Sequence, residues 1–137
     1  MMKNIKVLLL VVLAIGMNIS CSSQTKKDEK STEVKKVDKV EVYYFHFTRR
    51  CATCNAVESV SKDAIAELYG DNVIFKGYNL DEKDGEVKGK ELDISGQTLL
   101  IVAGDSKIDI TTEGFMNARS NPDKLKAIIK EKIDPLL

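Results

Sequence analysis

The sequence has no tryptophan, only two prolines and no excess of charge of either sign. Its 21 lysines and arginines are matched by 21 aspartates and glutamates. Two of the lysines, Lys3 and Lys6, lie in a leading segment without acidic residues, so residues 21–137 carry a net charge of −2. Because nucleic-acid-binding domains normally concentrate positive charge, no nucleic acid partner is predicted. With 31% charged and 43% hydrophobic residues, the composition is typical of one small globular domain.

Long hydrophobic runs are also missing, since an unbroken run at the amino end covers only residues 7–15. A transmembrane helix needs roughly 20 apolar residues, about twice as many. Two lysines before the run and small or polar residues after it are the layout of a secretory signal, here residues 1–20. A buried core helix is the alternative interpretation.

Cysteine is limited to three residues, of which Cys21 stands alone. The order Ile19-Ser20-Cys21, followed by two serines, resembles a bacterial lipoprotein signal, in which the cysteine is lipidated and becomes the first mature residue. Simple cleavage nearby is the alternative. Lipidation would anchor the protein in the cell envelope, facing the periplasm or the cell exterior. Residues 21–36 are almost entirely polar and are predicted to form a flexible tether, so that the folded domain covers residues 37–137.

Hydrophobic patterning in the domain alternates between strand and helix. Residues 37–48 are rich in β-branched and aromatic types with apolar side chains on both faces, which predicts a central strand. Residues 51–69 have apolar positions at helical spacing and end before Gly70. The remaining predicted elements are a strand at 73–78, a weak helix at 84–92 interrupted by two glycines, a hairpin of strands 98–103 and 107–112, and a helix capped by Asn121. This order predicts an α/β fold with a mixed four-stranded sheet and helices on both faces.

Cys51 and Cys54 lie where the predicted central strand enters a helix. A cysteine in the first helical turn faces free backbone N–H groups and the positive end of the helix dipole, which lower the pKa of its thiol. Arg49 and Arg50 would stabilise the thiolate in the same direction. Cys54 falls on the buried face of the helix, as suits a resolving thiol that attacks a mixed disulfide formed by Cys51.

Two other interpretations of the cysteine pair stay open. A purely structural disulfide would close a very short loop and so stabilise little. A metal site would have two thiols and one histidine, where zinc normally takes four ligands, and the adjacent arginines would repel a cation. Asn55 stands where a c-type haem needs histidine, and the sequence predicts no cofactor and no metal. His46 is predicted to be satisfied by hydrogen bonds rather than to tune the thiols.

Residues 40–54 together with residues 96–100 resemble the thioredoxin superfamily, and the similarity covers residues 37–137. With Gly114 and Phe115 downstream, residues 43–55 more narrowly resemble small thioredoxin-like proteins of Bacteroidetes, a family labelled as a nitrophenyl compound nitroreductase subunit. The resemblance implies a thioredoxin-like fold and places Gln97 and Thr98 in the loop that faces the substrate. Thioredoxins usually have a cis-proline where this chain has Gln97, and a buried aspartate where it has Phe45.

These features together predict a secreted, lipid-anchored thiol-disulfide oxidoreductase with Cys51 as nucleophile. Its expected partners are a protein thiol or disulfide and a membrane electron donor, and the direction of electron flow stays open. Two alternatives from other classes remain: a non-catalytic thioredoxin-like module that binds a soft metal or metalloid, and an accessory subunit of a membrane redox complex.

Overall fold

The computed structural model describes residues 39–137. The predicted signal peptide, the lipidation site Cys21 and the tether therefore lie outside the described residues. Within residues 39–137, no helix is both long enough and apolar enough to cross a bilayer. The elements are β1 (Val40–His46), α1 (Ala52–Tyr69), β2 (Val73–Asn79), α2 (Lys83–Leu92), β3 (Thr98–Ala103), β4 (Ser106–Asp109), α3 (Thr111–Asn117) and α4 (Pro122–Ile133).

The four strands form one sheet in the order β2-β1-β3-β4. β1 runs parallel to β2, with Val40 opposite Val73, and antiparallel to β3, with Glu41 opposite Val102. β3 and β4 form the predicted antiparallel hairpin around the turn at Gly104 and Asp105. The structure confirms the predicted α/β class, the central position of β1 and the mixed four-stranded sheet.

Both faces of the sheet are covered by hydrophobic clusters. Successive side chains of β1 point to opposite faces, so β1 contributes residues to both clusters. Val40, Val42 and Tyr44 join a larger core with residues of α1, α3 and α4. Tyr43 and Phe45 pack on the other side with Leu92, the last residue of α2. Tyr43, Tyr44 and Phe45 are at most 2% exposed, so these three aromatic residues of β1 belong to the core.

The ends of α1 and α4 follow the predicted capping residues. α1 ends at Gly70, whose φ of 54° is accessible to glycine at little cost. The Asn121 side chain accepts a hydrogen bond from the backbone N–H of Lys124, and Pro122 is the first residue of α4. The two longest helices are therefore fixed by local sequence signals.

The predicted interruption of α2 is wrong, since the helix is continuous through Gly85 and Gly89. Both glycines are buried at points of close approach. A Cβ atom at Gly85 would collide with the backbone of Asn79 and Leu80, and one at Gly89 would lie 2.9 Å from the Ile94 carbonyl oxygen. The glycines let α2 pack closely against neighbouring backbone and do not break it.

The carboxyl side of the hairpin also differs from the prediction. The predicted strand at 107–112 is wrong in its second half, because β4 ends at Asp109 and residues from Thr111 onward form α3. The Thr111 hydroxyl oxygen accepts the Leu99 N–H at 2.9 Å, which ties the start of α3 to β3. α3 carries the Gly114-Phe115 pair and packs Gly114 against side chains of Val57 and Leu99.

Candidate active site

Cys51 is the N-cap residue of α1, with φ −86° and ψ 167°. Its Sγ accepts a hydrogen bond from the backbone N–H of Cys54 at 3.2 Å, and its side chain is exposed. The first turn of α1 contains no acidic residue. The N–H donor and the helix dipole both favour negative charge on this sulfur, so the site is arranged to stabilise an exposed thiolate.

Cys54 lies one turn into α1 and is only 3% exposed. Its sulfur forms a disulfide with Cys51, and the two Cα atoms are 5.1 Å apart, within the usual range for a disulfide. The structure thus brings the two predicted redox residues together. Because one sulfur is exposed and the other buried, an external thiol can reach only Cys51.

Gln97 lies beside the disulfide, immediately before Thr98, the first residue of β3. The Gln97 side chain is half-buried, and its Oε1 lies 3.5 Å from Cys54 Sγ. Thr98 is 8% exposed, and its hydroxyl donates a hydrogen bond to the Gly96 carbonyl oxygen at 3.1 Å. Gln97 therefore borders the buried sulfur, while the role of Gln97 and Thr98 in facing a substrate remains a prediction.

Arg50 and Arg49 differ sharply in their surroundings. Arg50 Nη2 lies 2.5 Å from Glu58 Oε2 and donates to the Cys54 carbonyl oxygen at 3.4 Å. Its guanidinium carbon lies 5.8 Å from the ring centroid of Tyr44, within range of a cation–π interaction. Arg49 is exposed in the turn before α1. Glu58 offsets part of the charge of Arg50, and thiolate stabilisation by the two arginines stays a prediction.

Glu58 is the site residue that the sequence analysis missed. A Cβ atom at Gly77 would lie 2.5 Å from Glu58 Oε1, so this glycine in β2 leaves room for the carboxylate, and the same point is 3.9 Å from His46 Nε2. Glu58 lies four residues after Cys54, on the same side of a helix, and this spacing is the sequence signal that could have identified it. His46 itself donates from Nδ1 to the Phe47 carbonyl oxygen at 3.0 Å, as its predicted structural role requires.

Two polar side-chain atoms near the cysteine pair, one of Tyr44 and one of Arg50, are buried. Among residues 39–137, the Tyr44 hydroxyl and Arg50 Nε are buried without a hydrogen-bond partner. Burial raises the pKa of Tyr44 above its ordinary value, and the neighbouring Arg50 charge acts in the opposite direction. The Tyr44 hydroxyl is therefore neutral at physiological pH and contributes no charge to the site.

The turn between β1 and α1 is tied to the turn after β2. The backbone N–H of Thr48 donates to Asp81 Oδ2 at 2.8 Å, and Asn79 Nδ2 donates to the Thr48 hydroxyl oxygen at 3.0 Å. The Leu80 N–H also donates to the His46 carbonyl oxygen at 2.7 Å. These bonds from an adjacent loop fix the backbone that places Cys51 at the helix start.

In the part of the chain that the structure describes, no three His, Cys, Asp or Glu side chains are grouped so that they could hold a metal ion. No protein-family model matches the sequence, and no curated protein matches it.

Solved structures similar to this chain include two thioredoxins. The germline-specific thioredoxin Deadhead of Drosophila melanogaster is 20% identical, with 69% of this chain and 81% of that chain covered and a TM-score of 0.47. Thioredoxin f2 of Chlamydomonas reinhardtii is 23% identical, with 72% and 82% covered and a TM-score of 0.48. A structure described as a malarial protein is 17% identical, with 69% and 97% covered and a TM-score of 0.46.

Proposed function

We propose that the protein is a thiol-disulfide oxidoreductase whose Cys51 exchanges with thiols or disulfides of a partner protein. One observation carries the proposal: the exposed Cys51 Sγ receives the Cys54 N–H at the start of α1, while the sulfur of Cys54 lies buried beneath it. A structural disulfide needs neither an exposed sulfur nor a charge-stabilising helix end. Exchange chemistry needs both, because the thiolate is the attacking species.

The exchange proceeds in two steps. In the reductive direction, the Cys51 thiolate attacks a partner disulfide, forms a mixed disulfide with one partner sulfur and releases the other as a thiolate. Cys54 then loses its proton and attacks Cys51 Sγ, which forms the Cys51–Cys54 disulfide and releases the second partner sulfur as a thiolate. Two electrons pass to the partner, and the proton of Cys54 passes to solvent. The oxidative direction is the reverse sequence.

The proposed location is the cell envelope, with a lipid on Cys21 and residues 21–36 as the tether. This proposal is supported by the lipoprotein-like order of residues 1–21, and it makes a membrane electron donor accessible to the domain. The resemblance of residues 40–54 and 96–100 to the thioredoxin superfamily supports the exchange chemistry.

The test is reduction of insulin disulfides by dithiothreitol with the full chain in a Cys21→Ser background. We expect the Cys51→Ser variant to lose catalysis. The reduced Cys54→Ala variant, mixed with insulin after dithiothreitol has been removed, should accumulate a mixed disulfide because the resolving thiol is missing. The parent variant with both active-site cysteines is the control. Equal activity in the parent and in Cys51→Ser would contradict the proposal. Stoichiometric metal in the purified protein without reductase activity would favour the metal-binding alternative.

A further inference from the structure

The contact between Gln97 and the buried sulfur connects two residues that lie 43 positions apart in the sequence. In the disulfide, Cys54 Sγ carries no proton, and the 3.5 Å separation from Gln97 Oε1 is a simple contact. Once the disulfide is opened, Cys54 becomes a thiol at the same place. The amide oxygen is then positioned to accept an S–H hydrogen bond from a side chain that is 3% exposed.

The buried thiol has an ionisation problem that the rest of the site does not solve. Burial disfavours the thiolate, yet Cys54 must become a thiolate before it can attack. Phe45, which the resemblance matches to the buried aspartate of thioredoxins, packs on the sheet face opposite α1 and has no polar side-chain atom. Tyr44 lies on the α1 side, but burial raises the pKa of its hydroxyl, so it is a poor proton acceptor. Arg50 bonds to the Cys54 carbonyl oxygen and is paired with Glu58.

A glutamine amide can serve both forms of a thiol. Its oxygen accepts from S–H, and its NH₂ group donates to S⁻, so the two forms are exchanged by a half-turn about the last side-chain torsion. The distribution of angles about that torsion is broad and roughly two-fold, so the half-turn is accessible. Gln97 is also only half-buried, so its amide group has room to turn.

We propose that Gln97 is the internal hydrogen-bond partner of the resolving thiol: its amide oxygen accepts from the Cys54 thiol before resolution, and its NH₂ group then donates to the attacking thiolate. The inference rests on the proposed exchange function and adds a residue to its second step. In that step the Cys54 proton passes to water, the Cys54–Cys51 sulfur bond forms, and the bond from Cys51 to the partner sulfur breaks. The partner sulfur leaves with the electron pair as a thiolate.

The experiment observes the second step without a natural partner. Reduced full chain carrying Cys21→Ser is mixed with a substoichiometric amount of 5,5′-dithiobis(2-nitrobenzoate), and released nitrothiobenzoate is followed by stopped-flow absorbance. The first release reports attack by Cys51 and depends on reagent concentration. The second release reports attack by Cys54 on the mixed disulfide and is independent of concentration. Its pH profile gives the pKa of Cys54 in the mixed disulfide.

The informative variant is Gln97→Met, which keeps an unbranched side chain of similar length and removes the amide. Loss of a hydrogen bond to a charged group should raise the pKa of Cys54 by about one to two. The smaller thiolate fraction is partly offset by greater nucleophilicity, so the second release should slow about three- to tenfold at neutral pH. The first release should change less than about twofold, because Cys51 keeps its own N–H donor.

Two further variants complete the test. Asn117→Leu removes another half-buried amide, one that donates to the Glu113 carbonyl oxygen within α3, and should leave both releases unchanged. Gln97→Leu also removes the amide without adding charge, so it should raise the pKa of Cys54 in the same direction, which keeps the test decisive if the methionine variant does not fold. A second-release profile that coincides with the parent in Gln97→Met, or in Gln97→Leu where only that variant folds, would overturn the inference and leave insulin reduction intact. Loss of insulin reduction with a Gln97-dependent profile would instead overturn the proposed function alone.

Discussion

Cys51 and Cys54 are separated by two residues, yet their environments are opposite. Cys51 is exposed and lies at the amino end of a helix of 18 residues, whereas Cys54 is 3% exposed on the inner face of that helix. The backbone N–H of the buried Cys54 donates a hydrogen bond to the exposed sulfur of Cys51. The proposed roles of Cys51 as nucleophile and Cys54 as resolving thiol therefore follow from the positions of the two residues on the first turn of one helix.

The first prediction at this scale concerns the Cys51 thiol. In the reduced Cys21→Ser protein, the pKa of Cys51 should lie at least about one below the free-thiol value of about 8.5, because the N-cap position stabilises the thiolate. Thiolate absorbance in the ultraviolet, followed against pH, measures it. The Cys51→Ser variant is the control, and it should lack the low-pH transition. A Cys51 pKa of 8.5 or above would contradict the activated role.

The second residue-scale prediction concerns Tyr44, whose hydroxyl is buried without a partner in the described part of the chain. Tyr44→Phe should leave the free energy of unfolding unchanged or raise it by up to about 1 kcal/mol, because an unpaired polar group is removed. Burial raises the pKa of Tyr44, so the folded state keeps a proton that the unfolded state loses above about pH 10. Stability should therefore fall as pH rises past that value, less steeply in the variant.

Denaturant unfolding at pH 7 and at pH 10.5 or so measures both effects of Tyr44→Phe. Tyr43→Phe is the contrasting control, because the Tyr43 hydroxyl donates to Glu41 and its loss should cost about 1 kcal/mol. If Tyr44→Phe proved as destabilising as Tyr43→Phe, the hydroxyl of Tyr44 would have a partner after all.

At the scale of elements, α2 depends on two positions without side chains. Gly85→Ala should lower the free energy of unfolding by about 1–3 kcal/mol, although alanine is the better helix former, because its Cβ would meet the backbone of Asn79 and Leu80. Val87→Ala in the same helix is the control and should change stability by less than about 0.5 kcal/mol, since Val87 is 58% exposed. Chemical denaturation of both variants gives the comparison. Equal stability would show that α2 can move away from the Asn79 turn.

The elements with strong periodicity or clear caps could be predicted from the sequence. β1 is apolar on both faces because it is central, and α1 has both a buried stripe and a terminal glycine. α3 could not be predicted, because it begins with two β-branched threonines and contains Gly114, all of which disfavour a helix. It is held by contacts of Gly114 with Val57 and Leu99, which depend on tertiary packing.

The same division applies to the candidate site. The cysteine pair could be predicted because its spacing and its place before a helix are local features. The contacts of Glu58 with Arg50 and of Gln97 with Cys54 could not, because they depend on side-chain direction and on β3 lying next to β1. Local signals identify the cysteine pair, and the assembled sheet decides which residues surround it.

For the whole molecule, the packing of α4 on the larger core should dominate stability. Leu125 is 0% exposed, and Leu125→Ala should cost about 2–5 kcal/mol through lost burial and a residual cavity. Met116 is 70% exposed, so Met116→Ala is the control and should cost less than about 0.5 kcal/mol. Thermal and denaturant unfolding measure both variants. A small effect at Leu125 would mean that α4 does not support the fold as this core implies.

The unequal accessibility of the two sulfurs also restricts the order of events during an encounter. In the proposed exchange, every partner forms its mixed disulfide with Cys51 and is released from Cys51. A mixed disulfide between a partner and the buried sulfur of Cys54 therefore does not accumulate. In this exchange, the mixed disulfide is opened by attack of the inner sulfur, at a rate that does not depend on partner concentration and that rises as the pKa of the departing partner thiol falls. One internal attack would therefore release different partners at different rates, according to the acidity of their own thiols.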